Sequence, residues 1–294
     1  MKISNLIPTT RFAPSPTGEL HLGHAYAAKV AHDLAREQNG LFLLRHEDID
    51  SSRVREEYYT LIETDLRWLG LNWDGEIVRQ SHRPFAYRDA LEKLKQQGLV
   101  YPCFCTRKDI QQSLSAPHGA AENIYPGICR NIPSEESVQR IANGEAHAWR
   151  FDSNKAAAIH GELSFNDLRF GKTQVKPLAN GDAVLARRDI GIAYHLAVVV
   201  DDAFQNITHV TRGDDLFEST HIHRQLQAVL GFPEPTYFHH PCICDETGKR
   251  LAKRDDARSI RTLREAGTST KDILTQIELS LLTNRHDQIS NPLI

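Results

Sequence analysis

The stretch from Thr9 to His24, TTRFAPSPTGELHLGH, constrains the fold of this chain more than any other segment. Thr9–Arg11 leads into a turn rich in proline and glycine, Ala13–Gly18, and a helical pattern follows with Ala25, Ala28, Leu34 and Ala35 apolar. A strand, a glycine-bearing turn and a helix N-terminus in succession make an anion site, because free N–H groups and the helix dipole converge on one spot. Gly40 stands where that helix would stop, and Leu41–Leu44 is the short apolar run of a buried parallel strand. Asp50 and Ser51 sit at an N-cap position before a helix running to Leu69, and a further helix covers about Pro84–Gln97. This alternation predicts an α/β fold with a doubly wound parallel sheet.

The rhythm breaks at Tyr101. From there to about Phe170 the chain is rich in Cys, His, Pro and Gly and lacks sustained periodicity, which marks an inserted subdomain. Apolar runs return at Ala183–Ala186, Tyr194–Val200 and Ile207–Val210, followed by a helix at about Glu218–Leu230 that Gly231 ends. Beyond Arg250 the pattern is one of short polar helices. The expected divisions are therefore residues 1–100 for the first half of the sheet domain, 101–180 for the insertion, 181–240 for the second half, and 241–294 for a C-terminal helical region.

Charge and cysteine content exclude several classes. A net charge of −3 over 294 residues argues against a polycation built to coat nucleic acid, so any RNA contact must come from a local patch. Five cysteines, an odd number, fit a reducing cytoplasm better than a disulfide framework. The start, MKISNLIPTT, has no apolar signal core, and the apolar run at Leu196–Val200 is far short of a membrane helix. A soluble cytoplasmic protein is the expectation.

Three groups of residues carry chemistry. His21 and His24, three apart, share one helix face beside the anion site, where donors stabilise charge developing on a phosphate. Gly23 between them leaves room for a nucleotide to approach the backbone. The bland alternative is that both histidines merely cap the helix or sit in solvent. The second group is the basic run Arg250–Arg254, which alone reads as a solvated face. The third is Cys103-Phe104-Cys105 with Cys129, joined by a loop carrying His118, Glu122 and Tyr125. Zinc favours tetrahedral thiolate and imidazole sites, but these cysteines supply three ligands and leave the fourth open. Cys242 and Cys244 form a second such pair on an apparent strand without nearby partners, and read as ordinary residues.

Taken together, RFAPSPTGELHLGH, Arg45–Asp50, Gly181–Leu185, Tyr194–Asp202 and Thr211–Leu216 resemble the glutamyl branch of the class I aminoacyl-tRNA synthetases. HLGH is similar to the HIGH tetrapeptide of that class, and RLAKR to its KMSKS loop, with Ala252 where the family usually has serine. The resemblance implies a Rossmann-like catalytic core with an inserted zinc-bearing subdomain. It assigns His21, Gly23, His24 and Lys253 to ATP, with His21, His24 and Lys253 catalytic. It assigns Arg11, Ala13, Ser15, Glu47, Tyr194 and Arg212 to glutamate, the arginines meeting the side-chain carboxylate and Glu47 the ammonium. A solvent carboxylate paired to Arg45 or Arg53 is the plain alternative for Glu47.

The zinc segment is similar to that of one subgroup, the glutamyl-queuosine tRNA(Asp) synthetases, in which a tyrosine completes the site with three cysteines. Cys103, Cys105, Tyr125 and Cys129 match that pattern. About forty residues follow Arg254, too few for the anticodon-binding domain of a full glutamyl-tRNA synthetase. The implied partners are ATP with magnesium, L-glutamate and queuosine-bearing tRNA(Asp), with one structural zinc, no membrane and a monomeric state. Two other readings stay open: a truncated enzyme charging the tRNA 3′ end, and a catalytically silent RNA-binding paralogue.

Lys253 generates the first prediction. Losing one preorganised donor to a developing charge costs roughly 2.7–4 kcal/mol, so Lys253→Ala should slow glutamate activation about a hundred- to a thousand-fold with little loss of glutamate binding. Pyrophosphate-exchange kinetics measure both. A variant within a few-fold of the unmodified chain would move the cation to Lys249 or Arg254.

Overall fold

A computed structural model describes residues 7–106, 108–110, 124–187, 191–243 and 259–277. In chain order the elements begin β1 (Thr9–Phe12), α1 (Leu22–Arg36), β2 (Leu41–His46), α2 (Glu56–Trp68), β3 (Val78–Arg79) and α3 (Pro84–Gln96). Next come β4 (Val100–Cys103), α4 (Ser134–Ala142), β5 (Ala148–Phe151), α5 (Ser153–His160), β6 (Ser164–Asp167) and β7 (Gly171–Gln174). The remainder is β8 (Val184–Arg187), β9 (Gly191–Ile192), α6 (Tyr194–Phe204), β10 (His209–Gly213), α7 (Ser219–Leu230), β11 (Thr236–His240) and α8 (Ile260–Glu265).

The chain divides into two units. One comprises Met1–Arg79, Ile207–Leu216 and Thr236–Ile294; the other comprises Gln80–Asn206 and Phe217–Pro235. In the first unit β1 pairs in parallel with β2, Thr9 opposite Leu41 through Phe12 opposite Leu44. β2 pairs in parallel with β3, and β10 with β11 from His209–Thr236 to Gly213–His240. Thr208, just before β10, joins it to β1: its N–H donates to the Thr9 carbonyl at 3.0 Å, and its hydroxyl accepts from the Thr9 N–H at 2.8 Å.

Small side chains let α1 lie close on this sheet. Ala25, Ala28, Ala31 and Ala35 form its buried face, packed with Phe42 and Leu44 of β2. The Thr10 hydroxyl donates to the Ala31 carbonyl at 2.7 Å. The helix ends at Arg36, and Asn39 takes the left-handed conformation with φ of 54°. Gly40 is required for close approach, since a Cβ there would lie 2.1 Å from the Pro8 carbonyl oxygen.

The helix expected from Asp50 starts later. The Asp50 side chain accepts from the Ser52 N–H at 3.2 Å and from its hydroxyl at 2.5 Å, a local turn that competes with helix initiation. The helix begins at Glu56, with Arg55 at the N-cap and no side-chain cap. The second unit holds an antiparallel sheet in the order β4-β5-β8-β9 and a β6–β7 hairpin. Its helical part is tied together by Asp201 on α6, whose buried carboxylate accepts from Gln80 and Tyr87 at 2.9 Å and from Arg83 at 2.8 Å. The apolar run at Tyr194–Val200 is the start of α6, a helix apolar on most faces, and Leu196 through Asp202 are all buried.

Two buried titratable groups in the first unit pull in opposite directions. Burial, then the nearby Arg79 charge, pushes the His46 pKa down to about 4 from 6.5, with Asp48 opposing. Its stabilising contribution is present above pH 6.5 and is lost as pH falls toward 4, where the unfolded chain binds the extra proton. Burial raises the Asp65 carboxyl to about 6 despite Arg264 at 3.3 Å, so its contribution is present at low pH and is lost as pH rises through 6. Comparison with His46→Gln separates the two. The unmodified chain should lose stability relative to that variant, by roughly a few kcal/mol, between these two His46 values. Denaturant unfolding across this range measures the difference, and parallel curves would contradict it.

Candidate active site

The turn after β1 is held by the segment after β2. The Glu47 N–H donates to the Pro14 carbonyl at 3.0 Å, and the Arg55 N–H to the Pro16 carbonyl at 3.1 Å. Parallel pairing of β1 with β2 makes this possible, because both strands end at the same edge. Open α/β sheets place ligands at that carboxyl edge. Ala13 is half-buried there and Ser15 is exposed, its carbonyl accepting from the Thr17 N–H at 2.8 Å.

At the start of α1 the two histidines form a reciprocal cap. His21 occupies the N-cap in extended backbone and accepts from the Gly23 N–H through Nδ1 at 3.1 Å. His24 Nδ1 accepts from the His21 N–H at 3.3 Å, and the ring centroids lie 3.8 Å apart. His21 therefore precedes the helix and does not share a face within it. A Cβ on Gly23 would lie 3.0 Å from the His21 ring, so glycine is what lets that ring fold back over the helix end. The capping role and a ligand role are compatible: the imidazoles cover the positive end of α1, where an anion could exchange with them.

Two buried arginines lie on β1 and β10, which Thr208 joins. Arg11 on β1 is buried and donates to the Thr211 carbonyl on β10 at 3.1 Å. Arg212, next along β10, is also buried and meets His239 Nε2 at 3.1 Å. Glu47, half-buried beyond the end of β2, pairs with the fully buried Arg45 at 3.2 Å, while Arg53 pairs with Asp50 at 3.6 Å. The pairing with Arg45 is one that the plain alternative for Glu47 named, but it is made by a half-buried carboxylate with a fully buried guanidinium and not in solvent. Tyr194 belongs to the second unit, where it opens α6 beside the rings of His195 and His223.

Sequence reasoning missed His239 and Tyr237. They alternate along β11, their rings stack at 5.8 Å, and Arg212 lies 5.6 Å over Tyr237. The period-two spacing was the available signal. Cys242 is likewise corrected: it follows β11 instead of lying on it, and its thiol donates to Asp215 at 3.3 Å. With Asp214 these residues form a group whose ligand atoms lie within 4.8 Å of one another. Cys244, His118, Glu122 and residues 249–254, including Ala252 and Lys253, lie outside the described residues.

The second unit gathers the thiols. The Sγ atoms of Cys103, Cys105 and Cys129 lie within 4.8 Å of one another and could hold a metal ion. Cys105 and Cys129 sulfurs are 3.4 Å apart, and the Tyr125 hydroxyl oxygen lies 3.3 Å from Cys103 Sγ and 3.7 Å from Cys105 Sγ. That oxygen also accepts from the Cys129 N–H at 2.9 Å. A tetrahedral site with metal–sulfur bonds near 2.3 Å has ligand separations of about 3.8 Å, so this donor set fits the group. Burial raises the Cys105 thiol to about 12, helped by the neighbouring Cys129 and Cys103. Burial opposes ionisation of Cys103 too, yet the neighbouring Tyr125 hydroxyl and the Arg150 charge hold it below the ordinary thiol value.

Comparison with known proteins gives the family. Residues 9–289 match the family of class I tRNA synthetases (E and Q), catalytic domain. A glutamyl-Q tRNA(Asp) synthetase of Rhodobacter capsulatus is 50% identical over 279 residues, which cover 92% of this chain and 99% of that protein. A glutamate–tRNA ligase of Aquifex aeolicus is 40% identical over 88% of this chain, which spans 54% of that enzyme. The crystal structure of a glutamate–tRNA synthetase from Elizabethkingia anophelis superposes with a TM-score of 0.74 at 29% identity, covering 85% of this chain and 53% of its own. No helix among the described residues is long and apolar enough to cross a membrane. The chain belongs to the class I tRNA synthetases of the E and Q type, within the glutamyl-Q tRNA(Asp) synthetase group, and is a ligase of that class.

Proposed function

We propose that this enzyme activates L-glutamate with ATP in the absence of tRNA, then transfers glutamate to the queuosine base at the wobble position of tRNA(Asp). The observation that supports the first half is that Arg11 and Arg212 lie buried near the carboxyl ends of β1 and β10 and Glu47 follows β2, while the turn after β1 leads to the histidine-capped start of α1. In this reading the guanidiniums take the side-chain carboxylate and Glu47 takes the ammonium. The α-carboxylate is then left directed at the ATP α-phosphorus near His21 and His24. The carboxylate oxygen attacks that phosphorus, the bond to the bridging oxygen breaks, and pyrophosphate leaves with its charge stabilised by Lys253. Magnesium bound with ATP supplies further charge neutralisation. Ala13, Ser15 and Gly23 contribute backbone and close approach, and the part of Tyr194 rests on the resemblance alone.

The second half rests on the similarity to the Rhodobacter capsulatus protein over nearly its whole length. A hydroxyl of the modified base attacks the mixed anhydride, AMP leaves, and an ester forms. Cys103, Cys105, Tyr125 and Cys129 hold one structural zinc, which would crosslink a segment of little apolar periodicity. The enzyme works in the cytoplasm as a monomer. A second reading, charging of the tRNA 3′ end, has the glutamate–tRNA ligase similarity in its favour.

Two measurements follow. ATP–pyrophosphate exchange should proceed with glutamate and no RNA; a requirement for tRNA, or better exchange with glutamine or aspartate, would overturn the pocket assignment. Radiolabelled glutamate should remain on tRNA(Asp) after its 3′ end is removed, and should not be incorporated into queuosine-free tRNA. Label lost with the terminal adenosine would favour the second reading.

A further inference from the structure

Arg150 is the unusual charge beside the thiol cluster. It lies on β5 opposite Tyr101 of β4, the strand that ends in Cys103, and its side chain is buried. Its guanidinium carbon sits 3.7 Å over the Tyr125 ring, and its positive charge favours the ionised form of the Cys103 thiol. It meets Asp182 through the backbone carbonyl, at 2.7 Å, and not through the carboxylate. That carboxylate is occupied by Arg130 at 2.6 Å, by the Tyr101 hydroxyl and by the Ser153 N–H. The Arg150 Nε is buried without a hydrogen-bond partner. Among the described residues, then, a buried guanidinium stands without a carboxylate, stacked on the phenol ring whose hydroxyl meets the thiol cluster.

A buried cation in this position is costly unless an anion answers it. Three thiolates around a divalent metal, with a neutral phenol as fourth ligand, carry one net negative charge. Arg150 supplies the single positive charge that balances it. The flat guanidinium also fixes the plane of the Tyr125 ring, so the hydroxyl stays directed at the sulfurs. Neighbouring contacts brace the same frame: Arg130 follows Cys129, Tyr101 precedes Cys103 by two residues, and Tyr125 bridges to Gly181 beside Asp182.

From this arrangement we infer that Arg150 is the positioning residue of the metal site, holding the Tyr125 hydroxyl in place and balancing the charge of the metal–thiolate cluster. The inference rests on the zinc reading given above. Partners that orient metal ligands typically contribute 10- to 100-fold in affinity, and Arg150→Met should weaken zinc binding by about that factor. Arg150→Lys keeps the charge and loses the flat stack, so it should stay within several-fold of the unmodified chain.

The test is competition for zinc against a chromophoric chelator, using the full chain and both variants. Zinc bound by the unmodified chain, weakly by Arg150→Met and nearly normally by Arg150→Lys, supports the inference. Equal affinity for all three overturns it, even if Arg150→Met melts earlier with and without zinc, since that pattern belongs to a packing role. Should Arg150→Met fail to fold, loss of zinc by Arg150→Lys beyond about tenfold overturns it alone. An unmodified chain that binds no zinc removes the metal reading itself, a result distinct from the others.

Discussion

The contact from the Glu47 N–H to the Pro14 carbonyl is the tie on which the carboxyl edge of the first unit depends. It closes the proline-rich turn after β1 onto the segment after β2, and it exists because the two strands run parallel and end together. That edge sets Arg11, Glu47 and the start of α1 near one another without any long loop. β10 adds Arg212 to the same edge, and Thr208 hydrogen-bonds β10 to β1. The sheet thus does the positioning, and the alanine face of α1 lets the helix end approach closely enough to take part.

Buried charge is the second theme. Arg11, Arg45 and Arg212 in the first unit and Arg150 in the second are all removed from solvent. Burying a guanidinium is expensive, and each is held by a carbonyl, a carboxylate or an imidazole, or in the case of Arg150 by a carbonyl and a ring face. Such residues are poor contributors to stability and good recognisers of anions, because they are desolvated before the anion arrives. The reciprocal cap of His21 and His24 follows the same logic on a helix end: its donors are occupied by groups that can yield to a ligand.

Much of this was legible in the sequence, for identifiable reasons. The strand–turn–helix at Thr9–Arg36 carries its own punctuation in proline, glycine and spaced alanines, and Gly40 marked a true boundary. The CxC pair, Tyr125 and Cys129 were legible as a resemblance, and the structure brings their sulfur and oxygen atoms together. What escaped depends on contacts distant in sequence. The pairing of Arg212 with His239 spans 27 residues, and the hold of Asp201 on Gln80 spans 121. Arg150 looks like any strand arginine until its neighbours are known. The start of α2 was misplaced because Asp50 bonds Ser52 locally, a choice that spacing alone does not reveal.

In the proposed function, the carboxyl edge of the first unit seats glutamyl-adenylate. A crystal structure with a non-hydrolysable glutamyl-adenylate analogue tests that claim most directly. The side-chain carboxylate should meet Arg11 and Arg212, the ammonium should meet Glu47, and the phosphate mimic should lie at the start of α1 with the His21–His24 cap rearranged around it. An analogue bound elsewhere, with that cap and the Arg45–Glu47 pair undisturbed, would contradict the account.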